Sequence, residues 1–289
     1  MTEFDYALAF SRNIGWVTVS EQARLRQKRV AIAGMGGVGG LHLLALTRLG
    51  IGKFTIADPD SFEMANFNRQ AGATLSTLNQ PKAEAMARAA LDINPELDLR
   101  VLRDPIGKSN LAEFLADADL YVDGLDFFAF DARQATFRAC AERGIPAITV
   151  APLGMGASLL NFLPGGITFD QYFCWDKQTE EEKALRFLIG LAPARLHMGY
   201  LVDPSRVDLA NKRGPSTGMA TQLCAGIAAT EALKILLGRG KVLAAPWGMH
   251  FDAYTNRLRR TWRPGGNANP LQRLLIFIAR YLLRSKVTR

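Results

Sequence analysis

The run Val30-Ala31-Ile32-Ala33 passes directly into Gly34-Met35-Gly36-Gly37-Val38-Gly39, and that turn opens an apolar stretch, Gly39–Leu49. The first run reads as a buried strand, the glycines as a tight turn and the last stretch as a helix. Glycines at such a turn let backbone N–H groups approach a phosphate chain at the positive end of the helix. Outward from it, Lys53–Ala57, Leu97–Leu102, Leu120–Asp123 and Ala147–Val150 read as further strands. Pro81–Asn94, Asn110–Ala116 and Phe130–Arg143 read as the helices between them. Such alternation predicts an α/β, doubly wound, Rossmann-like domain of parallel strands joined by right-handed crossovers.

The second half changes character. Gly154–Phe173 is glycine-rich and apolar, and Asp176–Arg186 is charged, with Thr179 and Glu182 spaced to cap a helix. Pro215–Leu237 reads as a long apolar helix whose small residues suit close packing on a sheet. Ala245–Ala253 and Arg257–Arg263 pair as a hairpin around Tyr254–Asn256, so antiparallel strands continue the sheet. A hinge at Pro264–Pro270 precedes an apolar tail, Leu271–Leu283. The expected division is one unit over residues 1–263, with a nucleotide-binding half at 29–150 and a sheet-completing half at 151–263. A basic apolar helix follows at 264–289.

Charge is distributed as unevenly as pattern. The chain has 289 residues, a net charge of +8 and a hydrophobic fraction of 48%, ordinary for a globular protein with a sizeable core. No acidic residue follows Asp252, yet Arg257, Arg259, Arg260, Arg263, Arg273, Arg280, Arg284, Lys286 and Arg289 do. The body is close to neutral and the basicity belongs to the tail, which weakens a reading of the whole domain as a nucleic-acid binder. The N-terminal residues lack a basic, apolar signal pattern, and no uninterrupted apolar run approaches a membrane span. Cys140, Cys174 and Cys224 are too widely spaced for a disulfide framework or a Cys-x-x-Cys site. A cytoplasmic location is expected.

Around the glycine turn the residue types narrow the ligand. Asp58 ends the second strand, where a carboxylate can hold ribose hydroxyls. Asn66, Arg69 and Gln70 follow, and Lys82 stands at the start of the next helix. Two cations and two amides suit a triphosphate, whose α-phosphate gains charge during attack, better than a nicotinamide dinucleotide. Asp123 and Asp126 follow a strand, outside its carboxyl end, where α/β ligands sit.

In this order the residues resemble the ubiquitin-activating-enzyme-like superfamily of ThiF, MoeB and HesA. The resemblance runs through Phe10-Ser11-Arg12-Asn13, Arg29–Gly39, Asp58-Pro59-Asp60, Asn66-Phe67-Asn68-Arg69-Gln70, Pro81-Lys82 and Asp123-Gly124-Leu125-Asp126. It ends in Ala228-Ala229-Thr230-Glu231-Ala232-Leu233-Lys234 and covers roughly residues 4–262. It implies an ATP-dependent adenylyltransferase acting on the C-terminal glycine of a ubiquitin-like or sulfur-carrier protein. Gly34, Gly36, Gly37, Gly39, Asp58, Asn66, Arg69, Gln70 and Lys82 would bind ATP. Asp126 would hold Mg²⁺ or cap a helix, roles that can coexist. Arg12 would reach across a homodimer to the neighbour's ATP, and Cys174 would be a candidate acyl acceptor or a buried inert thiol. Two features depart from the family. Phe127 and Phe128 stand where Asn usually follows the strand-end Asp, bearing on the pocket near the adenylate. The paired Cys-x-x-Cys motifs are missing, so zinc is not expected.

Alternatives stay open on sequence alone. One is ATP-driven cyclisation of threonylcarbamoyladenosine in tRNA, which the basic tail favours; others are an NAD-dependent oxidoreductase and a catalytically silent scaffold. The tail itself reads as a helix docked on its own body or dimer mate, with rival readings as a membrane-surface helix or a partner contact. Arg273, Arg280 and Arg284 form one basic stripe on it.

Overall fold

Every residue of β1 (Arg29–Ala33) is buried, because the strand lies at the middle of a sheet covered on both sides. The computed structural model describes residues 3–208 and 211–287, with side chains to residue 281. Two N-terminal helices, α1 (Tyr6–Ala9) and α2 (Val19–Gln27), lead into β1. The alternating half then runs α3 (Gly39–Arg48), β2 (Lys53–Ala57), α4 (Lys82–Ile93), β3 (Asp98–Leu102), α5 (Leu111–Phe114), β4 (Leu120–Asp123), α6 (Phe130–Arg143) and β5 (Ala147–Leu153). After it come β6 (Gly156–Phe162), α7 (Phe169–Phe173), α8 (Glu180–Leu191), α9 (Gly218–Leu237), β7 (Trp247–Asp252), β8 (Arg257–Trp262) and α10 (Pro270–Val287).

The sheet order is β3-β2-β1-β4-β5-β6-β7-β8. Strands β1 to β5 are mutually parallel, and β6, β7 and β8 add antiparallel. The chain order reverses between β1 and β4, which opens a crevice at their carboxyl ends. One face packs Leu43, Leu46, Met86 and Ala228 from α3, α4 and α9. The other is unusually aromatic, with Phe130, Phe137, Phe162, Phe169, Phe173, Trp175 and Phe187 in edge or tilted contact.

The alternating half forms where the pattern predicts. The glycine-rich stretch 154–173 holds β6 and α7, with the turn Pro164-Gly165-Gly166 between them. β6 is buried at every position, so its sequence lacks the two-residue alternation that marks a half-exposed strand. Helix α9 is long and apolar enough to cross a membrane by length and composition. Here that apolarity serves packing on β4, β5 and β6, and its buried Glu231 is paired with Lys234 and Asn161.

The tail reading is half right. α10 docks on α8, burying Gln272 and Ile276 and pairing Arg280 with Glu182 at 2.7 Å. Its outer face nevertheless leaves Leu271, Leu274, Phe277, Ile278 and Tyr281 exposed. The side chains of Arg284, Lys286 and Arg289 lie outside the described residues, so only Arg273 and Arg280 of the basic stripe are placed.

His42, on α3, is fully buried with both ring nitrogens unpaired, and burial pulls it from 6.5 to about 4 despite the nearby Asp123. The folded state binds this proton less tightly than the unfolded chain, so its contribution is complete above about pH 6.5 and is lost towards pH 4. Stability should fall by roughly 3 kcal/mol over that window from His42 alone. Urea denaturation of wild type and His42→Leu across pH 4–7 should show the shallower slope in the variant.

Candidate active site

The centre of the crevice is a backbone contact. Gly34 has φ +88°, and a Cβ there would lie 2.2 Å from the Gly124 carbonyl oxygen. A Cβ on Gly39 would lie 1.7 Å from the Gly34 oxygen, and one on Gly124 would lie 2.7 Å from the Gly39 Cα. The turn after β1 and the turn after β4 therefore touch through main chain alone. Val38 precedes α3 without a side-chain cap, so the first N–H groups of that helix are left for a ligand.

Polar side chains ring this turn. Asp58 is buried at the end of β2; its carboxylate accepts from the Met35 N–H at 2.6 Å and the Asp60 N–H at 2.8 Å. Burial raises its pKa, against those hydrogen bonds and the nearby Lys82. Lys82, also buried, reaches Asp60 at 3.1 Å, and its backbone N–H is held by the Asp60 carbonyl. Gln70 lies beside Gly36, and its buried Oε1 has no hydrogen-bond partner. Asn66 is buried and accepts from the Glu63 N–H at 3.0 Å, which shapes the loop that carries Arg69. The Arg69 stem is 3.9 Å from the Cβ that Gly37 lacks, and its guanidinium rests on Ala65 O and Asn68 Oδ1. Gly36, Gly37, Asp58, Asn66, Arg69, Gln70 and Lys82 thus share one site.

Other expected residues are placed differently. Asp126 is exposed, and one carboxylate oxygen closes an Asx turn on the Phe128 N–H at 2.9 Å; Ala129, not Asp126, precedes α6. Asp123 is buried and turned away from the crevice, binding Arg133 at 2.8 Å and Thr149 at 2.9 Å. Phe127 packs on Phe130 and Phe187 in the aromatic layer, with ring centroids 6.0 and 5.2 Å away. Arg12 is exposed in the turn Ser11–Asn13, which Asn13 ties to the carbonyls of Arg48 and Leu49. It is therefore at the far end of α3 from the glycine turn.

Cys174 lies on the aromatic face of the sheet, at the end of α7, with Sγ 3.4 Å from the Gln171 carbonyl oxygen. Its neighbours are Arg186, Asp176 and Ala268, and burial pushes the thiol up. No crevice residue is among them.

Sequence reasoning missed three parts. Arg133 is buried against Asp123 and donates to the carbonyls of Phe127, Leu125 and Asp126 at 3.1, 2.7 and 2.9 Å, which sets the loop after β4. Thr221 packs its methyl against Gly37 and donates to the Arg69 carbonyl at 3.2 Å, so the start of α9 forms a wall of the site. Thr217 extends that wall to Gly154, at the turn between β5 and β6. An open apolar groove of about 590 Å³ leads away from it, between α9 (Met219, Leu223, Ile227) and the uncovered hairpin (Met249, Phe251, Leu258). These contacts join segments far apart in sequence, and no local motif announces them.

A doubly wound sheet with a glycine turn, a strand-end carboxylate and converging cations is the architecture of an ATP-dependent adenylyltransferase. The chain belongs to the ThiF family, whose profile matches residues 10–274. It is 29% identical over 188 residues to the sulfur carrier protein ThiS adenylyltransferase of Escherichia coli (strain K12), covering 64% of this chain and 73% of that one. The SAMP-activating enzyme E1 of Haloferax volcanii is 28% identical over 222 residues, covering 77% and 72%. The tRNA threonylcarbamoyladenosine dehydratase of Bacillus subtilis (strain 168) is 33% identical over 150 residues, covering 52% and 57%. Among solved structures, PaaA aligns with a TM-score of 0.67 over 90% of this chain and 74% of its own, at 19% identity. E. coli MccB with ATP aligns with 0.65 over 84% and 66%, at 18% identity. These two likenesses establish the fold.

Removing Arg133 should strand a buried carboxylate. Arg133→Met is expected to cost about 3–5 kcal/mol in urea denaturation, and adding Asp123→Asn should recover part of that loss. Equal additive losses would mean the pair is not coupled.

Proposed function

We propose that the chain uses ATP to adenylate a carboxylate, the C-terminal glycine of a small ubiquitin-like or sulfur-carrier protein. The observation that carries this reading is the convergence of Arg69, Gln70 and Lys82 on the uncapped glycine turn. Gln70 presents its amide Nε2, a donor, nearest to the Gly36 position, where a phosphate oxygen would accept from it. Asp58 would hold the ribose, and Asn66, Arg69 and Lys82 the phosphates. As a carboxylate oxygen bonds to the α-phosphorus, the bond to pyrophosphate breaks. Lys82 would exchange Asp60 for the phosphate chain and meet the charge that develops there.

Mg²⁺ belongs to the same reading. That ion takes few carboxylates together with phosphate oxygens and water. Among the described residues no group of three or more His, Cys, Asp or Glu is arranged to hold a metal. Asp126 suits the sparser requirement, because one oxygen remains after its Asx turn. Bound there, the ion would neutralise phosphate charge.

The placement of Arg12 supports a homodimer. Tied to the far end of α3, it cannot serve its own glycine turn, and the exposed Trp16 and Val19 beside it offer apolar area for a second copy. The groove between α9 and the terminal hairpin suits the carrier, since it begins at Met219, one residue beyond the contact of Gly218 with Asn68. A carrier seated there would have its C-terminus led to the crevice. A second reading, dehydration of threonylcarbamoyladenosine in tRNA, is supported by the 33% identity to the dehydratase and by the basic tail. Both readings share the adenylation step.

ATP–pyrophosphate exchange should appear with a cognate carrier and fall by about 100-fold or more in Arg69→Ala and Lys82→Ala. Exchange stimulated by modified tRNA and by no carrier would move the assignment to the second reading. Arg12→Ala and Lys82→Ala chains, each inactive, should regain part of the activity when mixed. Cys174→Ser should run the complete transfer cycle at the wild-type rate; a trapped adenylate would instead give the thiol an obligatory role.

A further inference from the structure

Helix α10 has two unlike faces. Its inner strip is fully engaged: Gln272 Nε2 donates to the Ile189 carbonyl at 3.2 Å, Ile276 is buried, and Arg280 reaches Glu182. Its outer face carries Leu271, Leu274, Phe277, Ile278 and Tyr281, each between 42% and 68% exposed. Docking on α8 does not account for them, since polar residues there would leave the inner contacts intact. Along one flank of this face, between α8 and α10, lies a groove of about 270 Å³ bordered by Arg186, Arg273, Arg280, Asn267, Ile276 and Phe277. Two of its three guanidiniums meet one carboxylate, because Arg186 and Arg280 share the same oxygen of Glu182 at 2.8 and 2.7 Å. Arg273 has no ion-pair partner among the described residues.

We propose that this groove and the outer face of α10 form a docking site for anionic phospholipid. A headgroup phosphate is held among Arg186, Arg273 and Arg280, and Leu274, Phe277, Ile278 and Tyr281 enter the acyl boundary beside it. Each half needs the other. Excess guanidinium charge calls for an anion, and a planar fork matches phosphate oxygens. The adjoining apolar face calls for a hydrocarbon neighbour, which a free phosphate does not bring. A second copy of α10 fits poorly, since it would set Arg273 and Arg280 near their own counterparts. The chain offers no acid after Asp252 to compensate. Nucleic acid would satisfy the arginines and leave the leucine, isoleucine and phenylalanine side chains in water. The arrangement is that of an interfacial helix, apolar on one side with arginines on the flank, held parallel to the protein surface by its inner strip.

The test uses the full chain and vesicles of phosphatidylcholine, with or without phosphatidylglycerol. Co-sedimentation should be strong with the anionic vesicles, weak with the neutral ones and reduced by salt. Arg273→Glu should weaken binding by about fivefold or more, and Phe277→Asp should abolish it. Both positions are exposed, so thermal melting and ATP–pyrophosphate exchange should match wild type. Equal binding to neutral vesicles, or unchanged binding by both variants, would overturn the proposal. So would binding of inorganic phosphate or glycerol phosphate without vesicle binding, which reduces the groove to a soluble-anion site. Loss of a dimer in Phe277→Asp on light scattering, with no vesicle binding by wild type, would assign the face to a second copy.

Discussion

The molecule depends on a backbone-to-backbone contact at the carboxyl ends of β1 and β4. Gly34, Gly39 and Gly124 approach one another where any side chain would collide with main chain, so two crossover turns form one surface. That closeness directs the uncapped start of α3 into the crevice and brings Asp58 onto the Met35 N–H. The loop carrying Arg69 and Gln70 is then placed against Gly36 and Gly37 by the same absence of side chains. Other parts of the site are arranged around a surface that only glycine permits.

A second constraint keeps that surface open. The loop after β4 is held from beneath by Arg133, whose guanidinium binds Asp123, spans three loop carbonyls and lies 4.7 Å over the Phe187 ring. A buried ion pair of this kind adds little net stability but makes one loop geometry strongly preferred once both partners are present. Phe127 joins that support by packing into the aromatic layer, so its unusual position after Asp126 has a structural use. The layer couples α6, α7 and α8 to the crevice, while Cys174 at its margin faces the hinge before α10.

Much of this was legible in advance, and the failures have physical causes. Strands β1 to β5 and the residues ringing the glycine turn announce themselves because burial and turn chemistry are local in sequence there. Strand β6 escaped because burial on both faces erases alternation. Arg133 and Thr221 escaped because their partners lie in other segments: Arg133 binds a strand ten residues upstream, and Thr221 binds a carbonyl 152 residues away. α10 was readable as an amphipathic helix with arginines, yet its docked face was not. The wheel shows which residues share a side; only α8, with Glu182 and the Ile189 carbonyl, selects the strip of Gln272, Ile276 and Arg280.

The amino-acid sequence by itself determined the doubly wound half, the glycine turn with its ring of Asp58, Asn66, Arg69, Gln70 and Lys82, and the split between a near-neutral body and a basic tail. These follow from periodicity, turn chemistry and charge order, all properties of neighbouring residues. The tertiary structure decided that Asp123 is a buried support while Asp126 stays exposed, that Arg12 lies beyond reach of its own glycine turn, and that α10 keeps an apolar face in the open. Those outcomes depend on which distant segments meet, and the distances that set burial and pairing exist only once the sheet has assembled.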